Sequence, residues 1–130
     1  MVDTNIVLDL LVFNDPATAG LQQGLKERSL QWIATPAMRE ELQRVLAYPQ
    51  IVSRMAFHRQ SLESVLQAFD GLVQPVHPPP PAAIRCKDGD DQKFIDLAVA
   101  HHALLLSKDK AVLCMARRLR ALGADARTML

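Results

Sequence analysis

The sequence has few of the residues that build covalent cross-links, membrane spans or base-stacking surfaces. It contains two cysteines, Cys86 and Cys114, without a CxxC pair, so neither a disulfide framework nor a zinc–thiolate site is predicted. No run of about 18 apolar residues occurs, which excludes an ordinary membrane-spanning helix. Aromatic residues make up 5% of the chain, so stacking on nucleotide bases is not expected to dominate. We expect a cytoplasmic protein without a membrane segment or a signal peptide.

Charge of one sign is also lacking. Fifteen Lys and Arg stand against fourteen Asp and Glu, which gives a formal net charge of +1. Such a chain has no overall field that attracts nucleic acid, so any polyanion would have to be held by a local patch. Hydrophobic residues make up 49% of the 130 residues, enough for one core. We therefore predict a single domain over residues 1–130.

Short apolar runs alternate with longer amphipathic ones, which is typical of an α/β protein with a parallel sheet. We predict five strands, at residues 1–2, 31–35, 72–76, 103–106 and 126–130. Helices are predicted between them, including one that starts at Thr35-Pro36 with a hydroxyl cap, one over 91–102 and one over 111–122. Residues 50–70 are predicted to form a helical arm of one or two helices.

Two aspartates follow predicted strands. Asp3 comes after the first strand and Asp109 after the fourth, and ligands of parallel sheets bind beyond the carboxyl ends of the strands. Carboxylates gathered at one place repel each other, so such a cluster usually indicates a bound divalent cation. The alternative is that each aspartate only caps the helix that follows it.

Two further carboxylates lie beside apolar helix faces. Glu41 lies at the edge of a face that contains Leu42, whereas Glu40 points nearly the opposite way. A carboxylate at that margin needs a partner, and Arg44 is an alternative to a metal.

Asp91 lies on the core side of the first turn of its helix. Asp88 and Asp90 compete with it, because periodicity does not decide which aspartate caps the helix and which faces the site. Asp96 points away from the apolar face, so we expect it to be solvated.

Four sequence blocks together resemble the PIN-domain nucleases, in particular the VapC-like toxin branch. The blocks are Val2–Leu8, Glu41–Pro49, Cys86–Ala98 and Leu105–Lys110. The resemblance implies a three-layer αβα sandwich with a central, mostly parallel five-stranded sheet. It also implies that the catalytic and metal-binding residues are Asp3, Glu41, Asp91 and Asp109. Asn5 and Ser107 match positions of polar support.

The resemblance implies an endoribonuclease that hydrolyses RNA phosphodiester bonds with Mg²⁺ or Mn²⁺, the cations that prefer carboxylate oxygens. It further implies the toxin of a type II toxin–antitoxin system, which forms a homodimer and binds an antitoxin protein. Candidate contacts to RNA phosphates are the basic residues near the acidic blocks, namely Arg39, Arg44, Lys108 and Lys110. For each of them the alternative is a solvated surface charge.

The chain departs from the family pattern at two positions. Only Met1-Val2 precede Asp3, where relatives have several apolar residues, and Ala111 stands where many relatives have a further aspartate. The sequence therefore does not decide whether the site binds one metal ion or two. These departures motivate the alternative of a noncatalytic PIN-like module that binds RNA or protein. A Mg²⁺-dependent phosphotransfer receiver domain is less favoured, because it needs an aspartate at the end of the third strand, where Val76-His77 stand.

Overall fold

The computed structural model describes residues 1–130. The chain divides into two compact units: Met1–Ile6 with His77–Leu130 form the first, and Val7–Val76 form the second. The boundary falls within helix α1, Thr4–Leu11. The single domain remains a prediction. None of the helices is both long and apolar enough to cross a membrane.

The second unit contains two strands and most of the helices. After α1 and a 3₁₀ turn at Pro16–Thr18, its elements are α2 Ala19–Lys26, β1 Trp32–Ala34, α3 Pro36–Leu46, α4 Pro49–Phe57, α5 Leu62–Leu72 and β2 Val73–Pro75. Strands β1 and β2 are parallel, with Trp32 opposite Val73 and Ala34 opposite Pro75. Helices α4 and α5 cover the segment predicted as an arm.

Local sequence explains where these helices begin. Pro36 is the first residue of α3, where its missing N–H costs nothing. The preceding Thr35 has extended backbone but its side chain makes no capping bond, so the predicted hydroxyl cap is wrong. Helix α5 instead has a reciprocal capping box, in which Ser61 and Ser64 each accept a backbone N–H of the other.

The first unit carries the remaining strands. Its elements are a 3₁₀ turn at Gly89–Asp91, α6 Gln92–His101, β3 Leu104–Leu106, α7 Lys110–Leu113, α8 Ala116–Ala121 and β4 Asp125–Arg127. Strands β3 and β4 are parallel, with Leu104 opposite Asp125. Val2 forms an isolated parallel bridge with Leu106 on the other edge of β3, so the carboxyl ends of the three segments point the same way.

The predicted five-stranded sheet is wrong in extent. The structure has two two-stranded parallel sheets and the single bridge at Val2. Each strand has only three residues, and Met1-Val2 supply one bridging residue. In β2, Pro75 has no N–H to extend the ladder. The α/β class and the parallel pairing are as predicted.

The predicted helix over 111–122 is also divided. The backbone N–H of Met115 bonds to the carbonyl of Val112, three residues back, at 3.0 Å. This tighter turn separates α7 from α8, with Cys114 and Met115 between them.

Fully buried side chains hold the first unit together. They come from α6, β3, the two short helices and the break between these helices: Phe94, Ile95, Leu97, Leu105, Val112, Met115 and Leu119. Burying a large apolar side chain contributes about 1.5–3 kcal/mol. This core fixes the start of α6 and the end of β3, where the acidic residues lie.

Candidate metal centre

Ser107 is the residue that follows β3, and it joins two of the predicted acidic positions. Its side chain is fully buried. The hydroxyl donates to Oδ2 of Asp3 at 2.8 Å and accepts the backbone N–H of Asp109 at 3.0 Å. Ser107 therefore fixes the direction of the Asp3 carboxylate and the position of the Asp109 backbone.

Asp109 caps helix α7 and also contacts a second carboxyl group. Its Oδ1 accepts the backbone N–H of Ala111 at 2.9 Å, as the capping alternative expected. Its side chain is also hydrogen-bonded to the Asp91 side chain. A hydrogen bond between two carboxyl groups requires a proton, and the raised pKa of Asp91 places that proton on Asp91, which then donates to Asp109.

Asp91 lies at the end of the 3₁₀ turn, directly before α6, and is 7% exposed. Its Oδ2 is buried and has no hydrogen-bond partner. Asp88 caps the turn, with its Oδ1 accepting the backbone N–H of Asp90 at 3.0 Å, while Asp90 itself is exposed. The structure thus answers which aspartate caps and which is buried.

Three carboxylates converge here. One oxygen each from Asp88, Asp91 and Asp109 lies within 4.8 Å of the others. We call these three residues the acidic cluster. Asp3 is 6% exposed and close enough for its negative charge to act on Asp91.

The surroundings of Asp91 in the acidic cluster disfavour ionisation of its side chain. Burial raises the pKa of Asp91 to about 7, helped by the hydrogen bond that its protonated carboxyl group donates to Asp109 and by the negative charges of Asp3, Asp109 and Asp88. Near neutral pH the cluster therefore holds a proton that a cation can replace.

The residues present fit a hard divalent cation. All donors in the cluster are carboxylate oxygens, which suits Mg²⁺ or Mn²⁺. The Oδ2 atom of Asp91 indicates where such a cation would bind. It is buried without a hydrogen-bond partner, which costs free energy unless a ligand binds it.

The remaining predicted site residues are not members of the acidic cluster. Glu41 lies on α3 in the second unit, half-buried, with Arg44 at 4.0 Å. Asn5 is exposed on α1. Arg39 forms a two-bond ion pair with Asp70, at 2.8 and 2.9 Å. The predicted roles of these residues stay predictions.

Lys108 and Lys110 flank Asp109 and are both exposed. Their position beside the acidic cluster is compatible with contacts to a phosphate chain, and those contacts stay a prediction.

Sequence reasoning missed the side chains that hold the segment before Asp88. Asp96, expected to be solvated, accepts from the backbone of Ala82 at 2.9 Å and from Gln92 at 2.8 Å. Gln92 also accepts the backbone N–H of Cys86 at 2.6 Å and donates to the carbonyl of Ile84 at 3.1 Å. The only signal in the sequence was the four-residue spacing of Gln92 and Asp96 on one helix face.

Replacing Ser107 with alanine should weaken binding of Mn²⁺ by about 10–100-fold, as removal of a residue that orients metal ligands usually does. The Asp3 carboxylate and the Asp109 N–H each lose a buried partner, which should also cost about 1–3 kcal/mol of stability. Calorimetric titration with Mn²⁺ measures the first effect and urea unfolding the second. Ser29→Ala is the matched control, because Ser29 donates to the carbonyl of Gly24 in the second unit. Equal Mn²⁺ affinity of both variants would refute this role of Ser107.

A family model described as PIN domain matches residues 1–111, which is more than half of the chain. Searches of curated proteins and of solved structures find no match. PIN domains have an αβα, nuclease-type fold and are usually metal-dependent nucleases. The matched region includes the whole acidic cluster, and the chain belongs to the PIN-domain family.

Proposed function

We propose that this protein is a Mg²⁺- or Mn²⁺-dependent endoribonuclease that hydrolyses RNA phosphodiester bonds. The observation that carries the proposal is the buried Oδ2 of Asp91, which lacks a partner amid converging carboxylates. Membership of a family of metal-dependent nucleases supports it. A cation bound there supplies charge stabilisation for the phosphate and an activated water.

Asp91 and Asp109 would hold the cation, with Asp88 and Asp3 beside them. One oxygen each of Asp88, Asp91 and Asp109 already lies within 4.8 Å of the others, so little rearrangement of these side chains is needed. Glu41, on α3, is proposed as a further ligand through the resemblance to the family. Mg²⁺ or Mn²⁺ is proposed on the chemistry of the donors.

The residues around the cluster have separate tasks. Ser107 orients the Asp3 carboxylate and anchors the backbone of Asp109. The burial of Asp91 keeps bulk water from its carboxylate. The exposed Lys108 and Lys110 lie where they can offset the negative charge that the cluster presents to an RNA phosphate.

Arg39 and Arg44 are proposed as further phosphate contacts. The Arg39 guanidinium already binds Asp70 through two bonds, so it can meet a phosphate only with its remaining donors. Arg44 is mostly exposed and lies 4.0 Å from Glu41, so contact with a phosphate would compete with this ion pair.

The biological role we propose is that of a toxin in a type II toxin–antitoxin pair. The support is the resemblance of the four sequence blocks to VapC-like toxins. On this proposal the protein forms a homodimer and is silenced by an antitoxin protein.

The test is RNA cleavage by the purified protein with Mg²⁺ or Mn²⁺ and with EDTA. Asp3→Asn and Asp109→Asn should each lower the cleavage rate at least about 100-fold, because each removes a charge at the cluster. Asp90→Asn is the matched control, since Asp90 is exposed in the same turn and should cleave like the wild type. Cleavage that persists in EDTA, or equal rates for all variants, would contradict the proposal and favour a noncatalytic module.

A further inference from the structure

Two cysteine thiols meet at one backbone oxygen in the first unit. The Sγ of Cys86 lies 3.4 Å from the carbonyl oxygen of Ala111, and the Sγ of Cys114 lies 3.3 Å from the same atom. Both are free thiols. Two sulfurs that share one oxygen neighbour lie close together, although the residues are far apart in sequence.

Neither cysteine lies inside a helix or a strand. Cys86 lies in the segment between β2 and the 3₁₀ turn, which forms no regular element. Cys114 lies at the break between α7 and α8. The bonds that would be lost are weak, because a thiol is a poor hydrogen-bond donor. Rotation about χ1 is the movement by which the two sulfurs would approach bonding distance.

We propose that Cys86 and Cys114 form a reversible intramolecular disulfide, a modification that goes beyond the proposed nuclease function. Neither thiol belongs to the acidic cluster, whose candidate ligands are all aspartates. No histidine or second thiol lies at zinc-finger spacing in the sequence. A redox role is therefore favoured over a ligand role.

The exposure of the two thiols indicates which of them is oxidised first. Cys114 is exposed and Cys86 is half-buried. A peroxide oxidises the sulfur of Cys114 to sulfenic acid and is itself reduced, with release of one water. The sulfur of Cys86 then attacks the sulfenic acid sulfur, forming the S–S bond and releasing a second water. A dithiol reductant reverses the reaction by exchange.

The bond would connect the two segments that supply the acidic cluster. Cys86 is two residues before Asp88, and Cys114 directly follows α7, the helix that Asp109 caps. A disulfide here places a covalent link beside the carboxylates. Disulfides of this kind in reducing compartments are usually transient and redox-sensing.

The test is mild oxidation of the full chain with hydrogen peroxide, followed by blocking of free thiols and mass spectrometry. The proposal expects a monomer that is about 2 Da lighter, has no free thiol and yields one cross-linked peptide containing Cys86 and Cys114. Dithiothreitol should restore both thiols.

Two variants separate this reaction from ordinary thiol oxidation. In Cys86→Ser, the lone Cys114 should gain oxygen atoms or pair between molecules, and Cys114→Ser should react more slowly. The proposal is overturned if the wild type behaves like Cys86→Ser, with oxygen added at Cys114 and Cys86 still reduced. It is equally overturned if the wild type links only between chains.

Discussion

Asp91→Asn is expected to make the protein more stable in EDTA at pH 8 while abolishing both Mn²⁺ binding and RNA cleavage. The wild-type carboxylate is buried, has an oxygen without a partner and faces the charges of three other aspartates. Asparagine has nearly the same shape, carries no charge and can donate an N–H to Asp109, as the protonated carboxyl group of Asp91 does at lower pH. Because the pKa of Asp91 is raised to about 7, the gain in unfolding free energy should be roughly 2–4 kcal/mol.

Urea unfolding in EDTA measures the stability change, and the same protein samples are then assayed for cleavage with Mn²⁺. Asp90→Asn again serves as the control, because its exposed side chain should change stability by less than about 0.5 kcal/mol. A variant at Asp91 that is less stable than the wild type, or that cleaves RNA normally, would show that the carboxylate is not held at an energetic cost for a metal.

The stability difference between wild type and Asp91→Asn should depend on pH, and this is the second large effect. In the folded protein the pKa of Asp91 is raised from 3.8 to about 7, mainly by burial. The folded state therefore binds a proton more tightly than the unfolded chain between these values. The stability that this proton confers is complete below about pH 4 and is lost as the pH rises to 7.

The difference in unfolding free energy should thus be smallest at pH 5, at less than half of its final value, grow up to pH 7 and level off above it. Taking the difference removes the contributions of other groups. Burial lowers the pKa of the Met1 amine to about 6, so this group acts in the opposite direction between pH 6 and 8, and it does so equally in both proteins. Urea unfolding in EDTA from pH 5 to 8.5 provides the curve. A difference that is flat across this range would refute the shifted pKa.

The sequence predicted the local elements well and the extent of the sheet poorly. The strands β1, β2, β3 and β4 all fall within or beside the predicted segments. The apolar runs indicate where each strand lies in the sequence. The number of residues that pair in each strand depends instead on strands distant in the chain. Met1-Val2 contribute a single bridge for that reason.

The sequence also limited the candidate site residues before α6 to three aspartates, Asp88, Asp90 and Asp91, but did not show which of them face the site. Asp88 and Asp91 are three residues apart, and a 3₁₀ turn places residues at that spacing on the same side. The α-helical period of 3.6 residues does not predict that Asp88 and Asp91 share a side. The sequence therefore predicts one aspartate at the site, whereas the structure brings both there. The long-range contacts of Ser107 with Asp3, and of both cysteines with Ala111, depend on the fold and have no local signal.

The most direct test of the central claim is the number of protons released when Mn²⁺ binds, measured by titration calorimetry in buffers of different ionisation enthalpy. If the cation replaces the proton on Asp91, about 0.9 proton should be released at pH 6 and almost none at pH 8.5, given a pKa of about 7. Asp91→Asn should bind no Mn²⁺ at either pH. Absence of binding by the wild type, or proton release that does not change between these pH values, would contradict the account.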